Sequence, residues 1–374
     1  MKRILLGCLA FLCSAWTWAD NTFSIDDFTI AAGENKFIDV KMYNDVAICA
    51  FQFELQLPDG VSVMKNNKGN LIVNATNRLK EYDEDQESFV PVHQVVASQE
   101  SNGYYKVMVY AIPTSDISGS SGTAVLRIKI EASDQVKTGS FTPVITNMEM
   151  TQYDGTTTTK YKPEAVTYSC TVNINATVTT LGYASFSWPR ALDFTNSGVT
   201  AFIAKDCDGQ SIQLEEVTKV PANTGLILKG TAGSDNTYSL QTTDDEALDD
   251  VSSNQLTGTA DGVYTVAGDN IYVLSNLDDG QAGFYLASEG IHVGQYKAYL
   301  AYTGTTPARQ GLTFNESGTS TAIEGIGEVK AESNELFDLQ GRRVRAVANA
   351  QFSTLSSQLR NGIYVCGGKK IIVK

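Results

Sequence analysis

The sequence predicts an all-β fold spread over more than one domain, and three observations predict it. Apolar and polar residues alternate with period two along many short runs, the pattern of strands buried on one face. Turn formers punctuate those runs, as at Pro58-Asp59-Gly60, Ser101-Asn102-Gly103 and Asp154-Gly155. Helix-period patterning is nearly absent, and 374 residues exceed what one sandwich or barrel core accommodates.

The elements begin with a leader. Met1-Lys2-Arg3 is a basic start, and Ile4 to Trp16 is an apolar run broken only by Gly7 and Ser14. Thr17 and Ala19 then stand three and one positions before a cut that leaves Asp20 as the first mature residue. This three-part build predicts a secretory signal peptide over residues 1–19. The run is shorter than the ~20 apolar residues of a membrane span, and no basic stop-transfer cluster follows it. Cys8 follows too little apolar sequence for a lipoprotein signal, and Cys13 follows Leu12, where a small residue is usual. No later segment is long and apolar enough to cross a membrane.

Residues 20–175 form the first predicted domain. Lys36 to Tyr43 places Phe37, Asp39 and Lys41 on one face and Ile38, Val40 and Met42 on the other. Ala47 to Leu57, Tyr104 to Ile112, Thr123 to Glu131 and Val166 to Ile174 obey the same rule. Phe28-Thr29-Ile30, Gly33, and Ala50-Phe51-Gln52-Phe53-Glu54-Leu55 open this domain. Its second half runs from Gly122-Thr123-Ala124-Val125-Leu126-Arg127-Ile128-Lys129-Ile130 to Gly139-Ser140-Phe141-Thr142-Pro143-Val144. Asn147-Met148-Glu149-Met150 and Asp154-Gly155 close it. That order of strands and turn glycines resembles the cohesins, in the wider superfamily that also holds cellulose-binding modules. The resemblance implies a nine-stranded jelly-roll sandwich with a non-catalytic binding role.

Residues 176–320 read as a second β-rich domain, with many Gly and Asp turns. Leu181-Gly182-Tyr183-Ala184-Ser185-Phe186, Val220 to Leu228 and Gly283-Phe284-Tyr285-Leu286-Ala287 lie in it. It is similar to a segment common in secreted proteins of Bacteroides and Prevotella relatives, and no activity attaches to that likeness. Residues 321–333 are small and polar and predict a linker.

Residues 334–374 predict a small C-terminal β module. Leu336 to Val344 pairs with Leu359 to Val365, with a turn at Gln340-Gly341 and a last hairpin around Gly367-Gly368. Gly341, Arg342, Gly362, Tyr364 and Lys369 are the signature by which this tail resembles the C-terminal sorting domain of Bacteroidetes proteins exported by the type IX system. The resemblance implies contact with outer-membrane secretion machinery. It also implies a protein that is secreted or held on the outer surface of a Gram-negative outer membrane.

Charge follows the same division. The chain carries a net −14, and loss of Lys2 and Arg3 with the leader takes it to −16. Seven cations against Glu335 and Asp338 give the tail a net of +5, so the body from Asp20 to Ser333 carries −21. An acidic body repels nucleic-acid phosphates and anionic lipid, which excludes nucleic acid as a partner class.

Residue chemistry argues against a reaction centre. The chain has two histidines, His93 and His292, both in strand-like or hairpin-like runs. There is no HExxH, no GxSxG elbow and no phosphate-cradling glycine loop. The acids Asp83-Glu84-Asp85, Asp244-Asp245-Glu246, Asp249-Asp250 and Asp278-Asp279 fall in polar, turn-like segments, where solvent keeps carboxylates ionised. No catalytic, cofactor-binding or metal-ligating residue is assigned. Calcium would suit oxygen-rich loops, yet no DxDxDG…E loop exists, and Asp206-Cys207-Asp208-Gly209 reads as a hairpin turn. Cys49, Cys170, Cys207 and Cys366 lie far apart, without a CxxC pair. Cys49 and Cys170 share core parity with their strands; buried free thiols are expected, and a Cys49–Cys170 bridge stays open as the alternative.

For sugar stacking the mature chain offers one tryptophan, Trp188, and tyrosines such as Tyr82, Tyr104, Tyr105, Tyr153 and Tyr161. The expected function is therefore a secreted or surface-displayed, non-catalytic binding or scaffold protein, with a glycan or a surface protein as partner. The alternatives are a polysaccharide-degrading enzyme or its accessory subunit with a dispersed carboxylate site, and a structural cell-surface or adhesin protein.

Overall fold

Alternation builds the first core. The structure is a computed structural model that describes residues 21–266, 270–276, 282–302 and 311–316, and the strand segments 335–338, 343–346, 362–366 and 369–373. Its strand Asn35–Asn44 buries Ile38, Val40 and Met42 and turns Phe37 and Asp39 to solvent, as the periodicity predicts. It lies in a five-stranded sheet ordered Thr22–Ile25, Asn35–Asn44, Ser120–Ala132, Val61–Val63, with Val73–Ala75 also paired to Ser120–Ala132. A six-stranded sheet is ordered Thr158–Tyr161, Val144–Tyr153, Ala50–Leu55, Tyr105–Ala111, His93–Gln99, with Val166–Thr167 added to Val144–Tyr153. The core cluster joins the two sheets through the fully buried Phe23, Val40, Phe53, Val107 and Ile128. Phe23 has its ring 5.1 Å from that of Phe51 and 5.2 Å from that of Phe53. Each such side chain contributes about 1.5–3 kcal/mol by leaving water.

Two details differ from the sequence expectation. The sheets together hold more strands than the nine of a cohesin-type jelly roll, because the short pieces Val73–Ala75 and Val166–Thr167 add at their margins. Alternation over Thr123 to Glu131 is also broken. The register of Ser120–Ala132 against Asn35–Asn44 slips between Ala124 and Leu126, so Val125 and Leu126 both turn inward. An extra residue at a bulge has this effect on side-chain parity.

One strand carries the chain from the first core into the next. Cys170–Val178 pairs in parallel with Phe28–Ala31 over Cys170 to Asn173, and antiparallel with Asn236–Thr242 from Ile174 onward. Cys170 and Val172 belong to the first core, whereas Ile174, Ala176 and Val178 belong to the second. The second core also takes Trp188, Phe194, Leu226 and Leu228. A continuous strand thus runs across residues 175 and 176.

The remaining strands form one long, curled sheet. Tyr183–Phe186, Leu226–Lys229, Thr200–Cys207, Ser211–Val217, Gly311–Glu316, Ala282–Leu286, Ile271–Asn276, Ala298–Ala301 and Leu256–Gly258 are neighbours in that order, nine strands in all. An isolated bridge between Thr224 and Thr257 brings the last strand back to the start of Leu226–Lys229. Phe202, Leu214, Ile227, Tyr272, Phe284, Leu300 and Leu312 form a third core inside the curl. Thr200–Cys207 is buried on both faces: Phe202 and Ala204 point into this third core, while Ala201 and Ile203 join the second. At the seam, a Cβ on Gly258 would sit 2.2 Å from Ser187 Oγ and 2.8 Å from the Asn223 carbonyl oxygen, so only glycine lets the backbones meet.

The chain divides into two compact units, residues 1–317 and 318–374. The second carries a four-stranded antiparallel sheet ordered Arg343–Ala346, Glu335–Asp338, Gly362–Cys366, Lys369–Val373. The leader and the segment 321–333 lie outside the described residues. Among the described residues, no helix is long and apolar enough to cross a membrane.

Candidate functional site

The six-stranded sheet of the first core leaves its second face open. Tyr105, Val107 and Val109 point into the core, so their neighbours Lys106, Met108 and Tyr110 point out. The register places Met108 between Gln52 and Val96, and Tyr110 between Ala50 and Gln94. On the next strand Glu149 lies opposite Gln52, and Thr151 opposite Ala50. The result is an apolar centre of Val96 (43% exposed), Met108 and Tyr110 with a polar surround. A shallow concavity of about 160 Å³ runs between Gln52, Met108, Tyr110 and Glu149.

Charge borders this face on two sides: Lys106 and Glu54 are register partners at one end, and Glu149 meets lysines at one margin. Lys160 Nζ donates to Glu149 Oε1 at 2.7 Å, and Lys162 Nζ lies 3.4 Å from Glu149 Oε2. The Lys160 hydrogen bond is the main reason the Glu149 carboxyl titrates below its ordinary range. At the other margin, His93–Gln99 is an edge strand of its sheet. Ile112 extends beyond the paired end of Tyr105–Ala111 with 78% of its surface exposed.

A hairpin stands beside this edge. Tyr82 on Lys80–Asp83 lies opposite Phe89 on Ser88–Pro91, and the exposed rings meet edge-on at 5.4 Å. Its root is the short turn Asn77–Leu79, which Arg78 anchors. Arg78 Nη1 donates to the carbonyls of Met42 and Thr123, at 3.1 and 3.0 Å. Its Nη2 donates to Asn44 Oδ1 at 2.8 Å and the Ser118 carbonyl at 2.9 Å. Burial draws its pKa down, and the four acceptors stand in for a counter-ion. No motif in the sequence marks Arg78, because its acceptors come from distant strands.

The groups weighed for catalysis are placed apart. His93 is buried, and its Nε2 lies 3.1 Å from the Ser115 carbonyl oxygen. A carbonyl only accepts, so Nε2 holds the proton, and Nδ1 is left without a partner. Ser115 Oγ donates to Glu81 Oε1 at 2.9 Å, yet the histidine reaches the serine backbone and not its hydroxyl, so no relay forms. His292 lies in the second half of the chain, stacked on Tyr264.

The acids serve turns and ion pairs. Asp83 accepts from the amides of Asp85 and Gln86, and Asp250 from that of Ser252. Asp249 accepts from the amides of Thr218 and Lys219. Asp208 accepts from the amides of Gln210 and Ser211, which makes Asp206-Cys207-Asp208-Gly209 the hairpin turn that was expected. Asp278-Asp279 falls outside the described residues. Among the described residues, no three His, Cys, Asp or Glu side chains gather where a metal ion would be held.

Cys49 and Cys170 are both buried free thiols, so the open alternative of a bridge between them is settled against. Burial raises the pKa of each, that of Cys170 to about 11, which leaves them as small apolar core groups. Of the aromatics weighed for sugar stacking, Trp188 is 6% exposed and Tyr105 is buried. Tyr104 and Tyr161 are half-buried, while Tyr82 and Tyr153 are exposed. Gly362 and Tyr364 of the tail signature lie on Gly362–Cys366, opposite Val373 and Ile371, and Lys369 lies opposite Cys366. Gly341 and Arg342 fall outside the described residues.

No protein-family model matches the chain, and no curated protein matches it either. Solved structures do. A type I cohesin from Pseudobacteroides cellulosolvens aligns with 42% of this chain and 94% of its own, at 12% identity and a TM-score of 0.32. A non-cellulosomal cohesin from the hyperthermophilic archaeon Archaeoglobus fulgidus aligns with 41% of this chain and 91% of its own, at 14% identity and a TM-score of 0.30. A structure of a type I cohesin–dockerin complex from Clostridium thermocellum gives 41% of this chain and 99% of the matched one, at 13% identity and a TM-score of 0.30.

Proposed function

We propose that this chain is an exported, non-catalytic binding protein that engages a protein partner through the open face of its six-stranded sheet. The observation that carries the reading is the composition of that face. Met108, Tyr110 and Val96 form an apolar centre across adjacent strands, with Gln52, Gln94, Thr151, Glu149, and the register pair Lys106 and Glu54 around them. Protein interfaces have this build: an apolar middle rich in Met and Tyr inside a rim that carries the polar and charged groups. The cohesin resemblance of the same residues implies a binding role. The leader and the sorting-type tail imply delivery to the cell exterior, with the secretion machinery as a transient contact.

A photocrosslinking residue at Val96, and a control at Glu131 on the opposite sheet, test the reading when the full chain meets an extract of cell-surface proteins. A discrete adduct from position 96, absent from position 131 and lost in Met108→Glu, is expected. Adducts of equal yield from both positions would contradict it. Turnover of a polysaccharide that one Asp or Glu substitution abolishes would replace it with the enzymatic alternative. Glycan-array binding that survives Met108→Glu would place carbohydrate recognition elsewhere on the chain.

A further inference from the structure

A cleft of about 380 Å³ opens where Tyr183–Phe186 approaches Ile271–Asn276 and the short ribbon Val263–Tyr264 with His292–Val293. Sites for small molecules have volumes of this order. None of the described residues lining this cleft is Asp or Glu. Its cation is Lys297, and Lys229 lies nearby with Nζ 5.7 Å from the centre of the Tyr183 ring. Lys297 makes no ion pair among the described residues; its side chain is exposed, and the packing around it lowers its pKa. An ammonium at the mouth of a cleft, with no ion pair among the described residues, is a place where an anionic ligand can bind.

The remaining chemistry of the cleft is that of a sugar site. Thr177, Thr179 and Ser185 supply hydroxyls, and Leu181 and Leu274 an apolar wall. At the rim, Tyr264 is 69% exposed and stacks on His292, with ring centroids 4.4 Å apart. This platform is built and not incidental. Tyr264 and His292 are register partners. A Cβ on Gly262 would lie 2.6 Å from His292 Nε2, so the glycine seats the imidazole. Thr265 Oγ1 donates to the Ser288 carbonyl at 2.6 Å and accepts from the Ile291 amide at 3.0 Å, tying down the ribbon that carries both rings.

We infer that this cleft binds a saccharide bearing one anionic group, with the charge at Lys297, ring hydroxyls at the threonines and serine, and an apolar sugar face against Tyr264. The inference is independent of the sheet face of the first core. Calorimetric titration of the full chain with glucuronate, glucose 6-sulfate and glucose tests it. At least one charged sugar is expected to bind ten-fold or more tighter than glucose. Lys297→Gln should remove that preference, Tyr264→Ala should weaken binding several-fold, and Met108→Glu should change nothing. Both cleft variants should keep the wild-type melting temperature, which separates lost recognition from lost folding. No binding of any of the three, equal binding of all three, or an undiminished charge preference in Lys297→Gln would overturn the inference. A preference for glucuronate over the sulfate, or the reverse, identifies the anion within the same site.

Discussion

Arg78 places its guanidinium among four acceptors from residues 42, 44, 118 and 123, and so ties the hairpin root to the five-stranded sheet. Lysine keeps the charge and loses the planar fork, leaving acceptors unpaired. Arg78→Lys should therefore cost about 2 kcal/mol or more in denaturant unfolding; an unchanged midpoint would remove Arg78 from the structural account. Glu149 makes a pH-dependent contribution. Its folded pKa lies below the unfolded value because Lys160 donates to it. That contribution is complete above the unfolded pKa of about 4.3 and is lost as pH falls through the folded value. The stability gap between the wild type and Glu149→Gln should be present at neutral pH and disappear in acid, and it should be small because Lys160 and Lys162 are exposed. At this scale the sequence told little. The core parity of Cys49 and Cys170 was legible from alternation, whereas Arg78 and Lys297 take their meaning from residues far along the chain.

Elements with one buried face were legible, and those departing from that pattern were not. Asn35–Asn44 and Tyr105–Ala111 alternate, and the same alternation that fills the core puts Met108 and Tyr110 outside, so the candidate face could be read from residues 50–55 and 105–111 once their pairing was known. The slip beside Leu126 escapes periodicity because a bulge changes parity without changing composition. Thr200–Cys207 is apolar on both faces from Ala201 to Ala204, a pattern that hides its place between two cores. The curl of the nine-stranded sheet was equally hidden, since it rests on the isolated bridge between Thr224 and Thr257. Gly258→Ala tests that contact. A Cβ there meets Ser187 and the Asn223 backbone, and the overlap should cost about 1–3 kcal/mol. Loss of protection from hydrogen exchange in residues 224–229 and 256–258 should accompany it; destabilisation without a change at the seam would refute the role given to that contact.

Across the larger unit, the shared strand Cys170–Val178 and a polar latch hold the cores together. Arg190 donates to the Gln135 carbonyl and to Asp244, Lys137 donates to Asp244, and the Tyr296 hydroxyl donates to Asp134. The burial of Tyr296 and that bond together raise its pKa to about 12. Such coupling predicts that damage to the first core is felt in the second. Phe53→Ala, expected to cost about 3–5 kcal/mol in the first core, should lower the melting transition reported by Trp188 fluorescence from the second. An unmoved Trp188 transition would mean that the two cores unfold separately. A rigid body presenting one open apolar sheet face is what a binding protein needs, since little ordering entropy is lost on association. The most direct measurement is hydrogen exchange of the full chain with and without the protein recovered by crosslinking through position 96. Slowed exchange in residues 50–55, 93–99 and 105–111, with 120–132 unchanged, is the predicted result. Protection of 120–132 or of the nine-stranded sheet, with those three segments unaffected, would contradict the account.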